Sequence, residues 1–279
     1  SKYAQSSYQN TVAVAPETSP TGTTIQLLSA GSSIHLSRQS LNNFDDIVFG
    51  LSGQVRRWDA GVVTTLATDG GFIFGVSPFG PVSNDAGSFA YRNASLDINY
   101  DPAGPILSTT IDPTIVPNSA DSDSMSLNEV GELAFIGTSN RVFVVDSSFL
   151  PVAITEPIGG TGVVTGVSIN NAGRVAYSRG GSLYFARAST LTSERLLGLG
   201  DPFGGSTLTF VGISAAALNN NDQIAFNYRL ANNTHGVAII QVIPELSAST
   251  LVGLAGALFL SAMASRSLRK ESRSEPRYQ

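Results

Sequence analysis

Few side chains in this sequence could do chemistry. Its two histidines, His35 and His235, stand 200 residues apart and outside any His-x-x-x-His spacing. Each therefore reads as a strand or turn residue rather than a base or a metal ligand. There is no Cys, which excludes a disulfide scaffold, a thiolate zinc site and an iron–sulfur cluster. Carboxylates cluster at Asp45-Asp46 and at Asp121-Ser122-Asp123. Calcium takes oxygen ligands from loops and could use either, but the second lacks the Gly and terminal Glu of a helix-loop-helix site. No metal site is assigned. Glycosidase chemistry needs two carboxylates about 5–10 Å apart across a cleft, which spacing along the chain does not reveal. No Gly-x-Ser-x-Gly elbow and no Gly-x-x-x-x-Gly-Lys phosphate loop occurs. The Gly pairs at 70–71, 159–160, 180–181 and 204–205 read as turns. The sequence names no catalytic residue and no cofactor.

The elements around these residues follow from composition. The chain has 279 residues, 13% charged and 42% hydrophobic, with 28 Gly and 13 Pro spread along it. Low charge argues against disorder, and so many helix breakers argue against a helical bundle. The net charge of -5 argues against nucleic acid as a partner. That charge is unevenly placed. Arg266, Arg269, Lys270, Arg273 and Arg277 face only Glu271 and Glu275 in residues 266–279. The rest of the chain is acidic, and an apolar run, Leu251 to Ala264, precedes the basic end.

The body repeats itself. Leu41-Asn42-Asn43-Phe44-Asp45-Asp46-Ile47-Val48-Phe49 returns as Ser83-Asn84-Asp85-Ala86-Gly87-Ser88-Phe89-Ala90-Tyr91. Three more copies open on Asn128, Asn170 and Asn219 and end on Phe135, Tyr177 and Phe226. The five Asn positions, 42, 84, 128, 170 and 219, fall 42, 44, 42 and 49 residues apart. A leading Asn can fold its side chain onto its own backbone in an Asx-turn. Three residues later Gly87, Gly131, Gly173, or an Asp, supplies the residue that tolerates a left-handed conformation. The apolar–small–aromatic triplet that follows reads as a short strand buried on both faces. These Asn and Gly residues are thus expected to be structural.

Further strand signals recur between the turns, among them Leu96–Tyr100, Arg141–Asp146, Val163–Ile169, Ser182–Ala186 and Leu208–Ile213. Four short strands per period of about 43 residues match one blade of a β-propeller. Two candidate strands precede the first turn, Thr11–Ala15 and Thr24–Ser29, and two follow the last, Gln223–Tyr228 and His235–Val242. Together they would make one blade. The expectation is an all-β, five-bladed propeller over residues 1–243, closed by pairing of N- and C-terminal strands, with a stacked solenoid of the same period as the alternative.

Residues 244–279 read as a separate tail. A polar stretch from Pro244 leads into an apolar helix over 250–265, about 24 Å long at 1.5 Å per residue. That is shorter than the roughly 20 residues of a permanent span. The basic end, 266–279, would stay cytoplasmic under the positive-inside rule.

Pro244-Glu245, Thr250-Leu251 and the cluster Arg266, Arg269 and Lys270 resemble the PEP-CTERM sorting signal of exported bacterial proteins. Leu246 stands where the family has a second Pro, and the tail runs to Gln279. The resemblance implies a membrane-retained precursor, tethered in the inner membrane by the C-terminal helix. An exosortase-type membrane protease or transpeptidase would recognise it before release to the cell surface. The body is similar to a repeat domain of unassigned function carried by such proteins. Gly200-Asp201-Pro202-Phe203-Gly204-Gly205, leading to Leu218–Phe226, fits that repeat best. It brings no catalytic residues.

The favoured reading is a non-catalytic, exported protein of the envelope or extracellular matrix, with polysaccharide or another protein as ligand. The alternative is an exported propeller acting as a glycan hydrolase. The single Trp, Trp58, leaves little of the aromatic platform that sugar binding uses.

Overall fold

A computed structural model of the chain describes residues 3–7, 11–15, 25–29, 34–37, 39–44, 46–51, 53–59, 61–68, 81–92, 98–101, 109–111, 125–154, 162–187, 190 and 192–242. The expected helix over 250–265, the sorting-motif residues and Asp121-Asp123 lie outside them, as does Asp45.

Every sheet is antiparallel and built from strands consecutive in sequence. A leading three-stranded sheet holds β1 (Tyr3–Ser7), β2 (Thr11–Ala15) and β3 (Ile25–Ser29). Five four-stranded sheets follow, one per repeat. Repeat 1 carries β4 (Ile34–His35), β5 (Ile47–Leu51), β6 (Gln54–Asp59) and β7 (Val62–Thr68). Repeat 2 carries β8 (Val82–Ser83), β9 (Phe89–Arg92), β10 (Ile98–Asp101) and β11 (Thr109–Thr110). Repeat 3 carries β12 (Met125–Leu127), β13 (Leu133–Ile136), β14 (Val142–Val145) and β15 (Val152–Ala153). Repeat 4 carries β16 (Val164–Ile169), β17 (Arg174–Arg179), β18 (Ser182–Arg187) and β19 (Thr192–Leu197). Repeat 5 carries β20 (Pro202–Phe203), β21 (Ser206–Gly212), β22 (Gln223–Leu230) and β23 (His235–Gln241).

The four strands per period are as expected; the closure is not. β2 pairs with β1 and β3 and joins no C-terminal strand. The place beside β22 belongs to β21, which follows β20 through a Gly204-Gly205 turn with both glycines at positive φ. Local antiparallel pairing needs only short loops, whose closure costs less than bringing the chain ends together. β1, β6 and β7 are unannounced by the sequence: β6 and β7 are rich in Arg and Thr and lack the apolar triplet.

The triplet strands do form the core. Ile47, Val48 and Phe49 are buried, as are Phe89, Ala90 and Tyr91, and likewise Leu133-Ala134-Phe135 and Val175-Ala176-Tyr177. Consecutive sheets stack in one sense. The face of repeat 1 with Val48 and Val55 meets Phe89 and Tyr91 of repeat 2. The face with Ala90 and Tyr100 meets Leu133, Phe135 and Phe143 of repeat 3. Ala134, Val142 and Val144 in turn meet Val167, Val175 and Tyr177 of repeat 4. A small middle residue is therefore needed on one face and a large residue on the other. Repeat 5 departs from this pattern: Ile224 and Phe226 are buried, but Ala225 is exposed.

The positive-φ column appears where the sequence places it. Gly87, Gly131 and Gly173 have φ of 85°, 82° and 67°, and Asp222 takes the same place at 60°. A Cβ at Gly87 would meet nothing within 4 Å, so only backbone strain opposes one. Gly166 of β16 is different, because a Cβ there would run into the Ile213 carbonyl of repeat 5.

Gly87→Ala is accordingly expected to cost about 1–2 kcal/mol of unfolding free energy, and Gly87→Asn clearly less. Urea unfolding of the two variants measures the difference. Gly166→Ala should cost more than Gly87→Ala, since backbone must move to admit the methyl.

Candidate functional site

In repeats 2 to 5 the turn is a three-residue hairpin loop with a left-handed fourth position, a type I turn followed by a bulge. In repeat 3 the Gly131 N–H donates to the Asn128 carbonyl, and the Asn128 N–H donates to the Glu132 carbonyl at 3.0 Å. Repeats 2, 4 and 5 make the same two bonds. The Asn Oδ1 accepts the N–H four residues on: Asp46 from Asn42, Ser88 from Asn84, Glu132 from Asn128, Arg174 from Asn170 and Gln223 from Asn219. The expected Asx-turn, in which the same oxygen accepts from two residues on, is added in repeats 1, 4 and 5 by the Phe44, Ala172 and Asn221 N–H groups.

The other end of the amide does something the turn does not require. The Asn84 Nδ2 donates to the Asn128 backbone carbonyl at 2.8 Å, the Asn128 Nδ2 to that of Asn170 at 2.8 Å, and the Asn170 Nδ2 to that of Asn219 at 3.0 Å. Asn42 reaches the Asn84 carbonyl at 3.4 Å. One residue further on, a second ladder runs in parallel. The Asn43, Asp85, Glu129 and Asn171 N–H groups donate to side-chain oxygens of Asp85, Glu129, Asn171 and Asn220, at 2.7 to 2.9 Å. Every member of this column is Asn, Asp or Glu, a signal present in the sequence. Asn84, Asn128 and Asn170 are buried, whereas Asn219 is exposed and turns its Nδ2 to its own Gln223.

Further contacts lie where the inner strands meet. Ser126 Oγ accepts the Ile169 N–H and donates to the Ala215 carbonyl, and Ser168 Oγ accepts the Leu218 N–H. Repeat 2 has Val82 at the matching place and offers no acceptor. The Leu127 N–H is instead taken by the Gln39 Oε1 of repeat 1 at 3.0 Å.

The charged candidates sort around the turns. Asp46 is buried, receives the Asn42 amide at 3.3 Å and pairs with the Arg57 Nη2 at 2.8 Å. The same nitrogen lies 3.3 Å from exposed Asp59. Asn42, Asp46 and Arg57 edge a cavity of about 170 Å³ between repeats 1 and 2, walled by Val48, Leu66 and Phe89 and by Ser83 and Asn84. Among the described residues Asp46 is the one carboxylate lining it, where glycoside hydrolysis uses an opposed pair. Arg174 and Asp222 form a second ion pair, joining repeats 4 and 5, where Asp222 also accepts the Asn170 amide at 3.1 Å. Tyr100 donates to the Gly131 carbonyl, and burial holds its hydroxyl well above the ordinary range. Tyr177, hydrogen-bonded to Ser193, is pushed by burial to about 12.

His35 lies on β4 opposite Gly50, and His235 is exposed at the start of β23; the two belong to different sheets. Trp58 is half-buried on β6, opposite Ile47. Gly200 and Asp201 serve the turn before β20, where Asp201 accepts the Gly198 N–H at 2.8 Å and the Arg195 guanidinium at 2.9 Å. No group of three His, Asp or Glu positioned for a metal occurs among the described residues.

No family model matches the chain, and no curated protein does. Solved structures resemble it weakly. A chain of the mitotic checkpoint complex superposes with a TM-score of 0.47 at 16% identity, over 84% of this chain and 75% of that one. The extracellular domain of a one-component system from B. thetaiotaomicron gives 0.47 at 12% identity, over 88% of this chain. This chain spans only 33% of that second structure. Both scores are too low to identify a shared fold, so the functional reading rests on the chain's own geometry.

Asn128→Ala removes a buried amide, leaves the Glu132 N–H without its acceptor and takes from the Asn170 carbonyl one of its two donors, Gly173 N–H remaining, at a cost of about 1–3 kcal/mol. Asn219→Ala loses the turn bond without an inter-repeat one and should cost less; chemical denaturation of the pair tests the ladder. A pH series provides a second check. Burial raises the Asp46 carboxyl above its ordinary 3.8, while Asn42 and Arg57 pull it back. Glu129 is also raised, mainly by burial. The folded protein then holds more protons than the unfolded chain above that value, so stability falls as pH rises through the raised pKa and levels beyond it. Asp46→Asn should flatten part of this fall in urea titrations run across the acid range.

Proposed function

We propose that this chain is a non-catalytic, exported protein of the bacterial envelope or extracellular matrix. In this reading its body is a five-bladed propeller with an open seam at the fifth blade, and its tail is a PEP-CTERM-like sorting signal. The observation that carries the non-catalytic reading is the double ladder. The recurring polar atoms of repeats 1 to 4 are spent on holding the next repeat, and the one described cavity with an ion pair offers a single described carboxylate. Contacts that skip a repeat support the propeller. Gln39 of repeat 1 reaches Leu127 of repeat 3, and Ser126 of repeat 3 reaches Ala215 of repeat 5. Such contacts fit blades around a narrow axis, whereas in a straight stack repeats 1 and 3 would be held apart by repeat 2.

The address rests on Pro244-Glu245, the apolar run and the cluster Arg266, Arg269 and Lys270. Under it the precursor stays in the inner membrane until an exosortase-type enzyme acts, and the released body meets extracellular polysaccharide or protein. Expression of the precursor with and without residues 244–279, followed by cell fractionation, tests this. The complete precursor is expected in the membrane and then at the surface, the truncated one in the soluble exported fraction. Equal distribution of the two would overturn the sorting role.

A further inference from the structure

The outer edges of the five repeat sheets are not alike. β11 and β15 are two residues long, too short to template another strand. β7 and β19 are longer, but each meets its neighbour through a bulge, at Val55/Arg56 and at Leu183/Tyr184, and β19 carries exposed Glu194 and Arg195. Short strands, bulges and charge are the devices by which sheet edges avoid pairing with other chains. β23 has none of them. It runs seven residues, His235–Gln241, in unbroken register with β22, with no charged residue and no Pro.

Its register shows which backbone groups are open. The Leu230 N–H donates to the Thr234 carbonyl, so the inward-bonded positions of β23 are Gly236, Ala238 and Ile240, by the alternation of an antiparallel ladder. The N–H and C=O groups of His235, Val237 and Ile239 point away from β22. Among the described residues no strand pairs with that edge. The side chains of the same residues stand on the uncovered face of the sheet, with Val237 70% and Ile239 68% exposed, opposite Asn227 and Ala225 of β22. In repeats 1 to 3 the matching face is covered by the next repeat. Among the described residues, the outward backbone groups of His235, Val237 and Ile239 and the side chains of Val237 and Ile239 lack a partner.

We infer that β23 pairs antiparallel with β23 of a second copy of this chain, about a two-fold axis at Val237. That register sets Val237 against Val237 and His235 against Ile239, each facing pair exchanging two backbone hydrogen bonds. The strand suits itself as a partner because no like charges meet, and Val237 and Ile239 of each copy extend one apolar face across the junction. The inference goes beyond the sorting and propeller readings and depends on neither.

The chain has no cysteine, which gives a clean test. Full-length protein carrying Val237→Cys, kept dispersed in mild detergent, should form a disulfide dimer on oxidation, since the paired Cα atoms would lie within bridging distance. Val62→Cys on the bulged edge β7, 65% exposed, reports association through any other route, including the tail. Val237→Lys, on an exposed side chain that folding does not require, should weaken dimerisation in sedimentation more than about tenfold. Equal cross-linking of the two cysteine variants would overturn the inference, as would a dimer indifferent to Val237→Lys. So would a monomer whose outward Val237 and Ile239 amides resist hydrogen exchange, which would mean that the chain's own residues cover the edge.

Discussion

One amide per repeat, divided between two tasks, sets the conditions for everything else in this body. The Asn Oδ1 closes its own turn, and the Nδ2 of the same side chain fixes the next repeat. Serine and aspartate can do the first task, but neither carries an amide nitrogen placed for the second while its oxygen is engaged. The column is Asn in all five repeats, although repeat lengths vary, and in repeats 1 to 4 it does both tasks. Since Asn84, Asn128 and Asn170 are buried, each rung is worth only about 1 kcal/mol when made but costs more when one side is left unpaired. The ladder thus acts mainly on register: a blade that slips strands buried polar groups.

The rest of the architecture accommodates that requirement. The left-handed residue brings the chain round so that the triplet strand enters the core immediately after the amide. The small residue in the middle of the triplet lets the next sheet approach, and the aromatic residue fills the gap on the other side. Where a column breaks, a neighbour compensates. Val82 cannot accept a hydrogen bond, and Gln39 reaches across from repeat 1 to serve Leu127. Asp222 replaces the glycine of the turn and uses its carboxylate to receive both Asn170 and Arg174.

The period, the Asx-turns, the positive-φ column and the buried triplets were legible because each is local, with its cause within ten residues of the signal. The ladders were not, because their partners lie 42 to 49 residues away, and an Asn in a turn already has a sufficient local explanation. The second column, Asn43, Asp85, Glu129, Asn171 and Asn220, was visible only as ordinary turn polarity. Its shared property, an acceptor oxygen, becomes a signal once the first ladder is known. Closure was misread for the opposite reason. Two strands at each end invited a long-range pairing, but β20 and the Gly204-Gly205 turn supplied a nearer one. The Asp46–Arg57–Asp59 group was half visible, since Asp46 stood in a repeat turn while Arg57 lay in a strand that carried no apolar signal.

The rungs have a direction: each repeat gives hydrogens and the next receives them. Cutting the chain just before one leading Asn and rejoining it just before another preserves the donor–acceptor match of both turn ladders. A gene encoding this body could therefore gain or lose whole periods by unequal recombination without any new turn contact having to evolve. Indels of other sizes would need to fall in the segments between triplet strands. The 49-residue step between Asn170 and Asn219, set against 42 for its predecessor, is the size of difference those segments absorb.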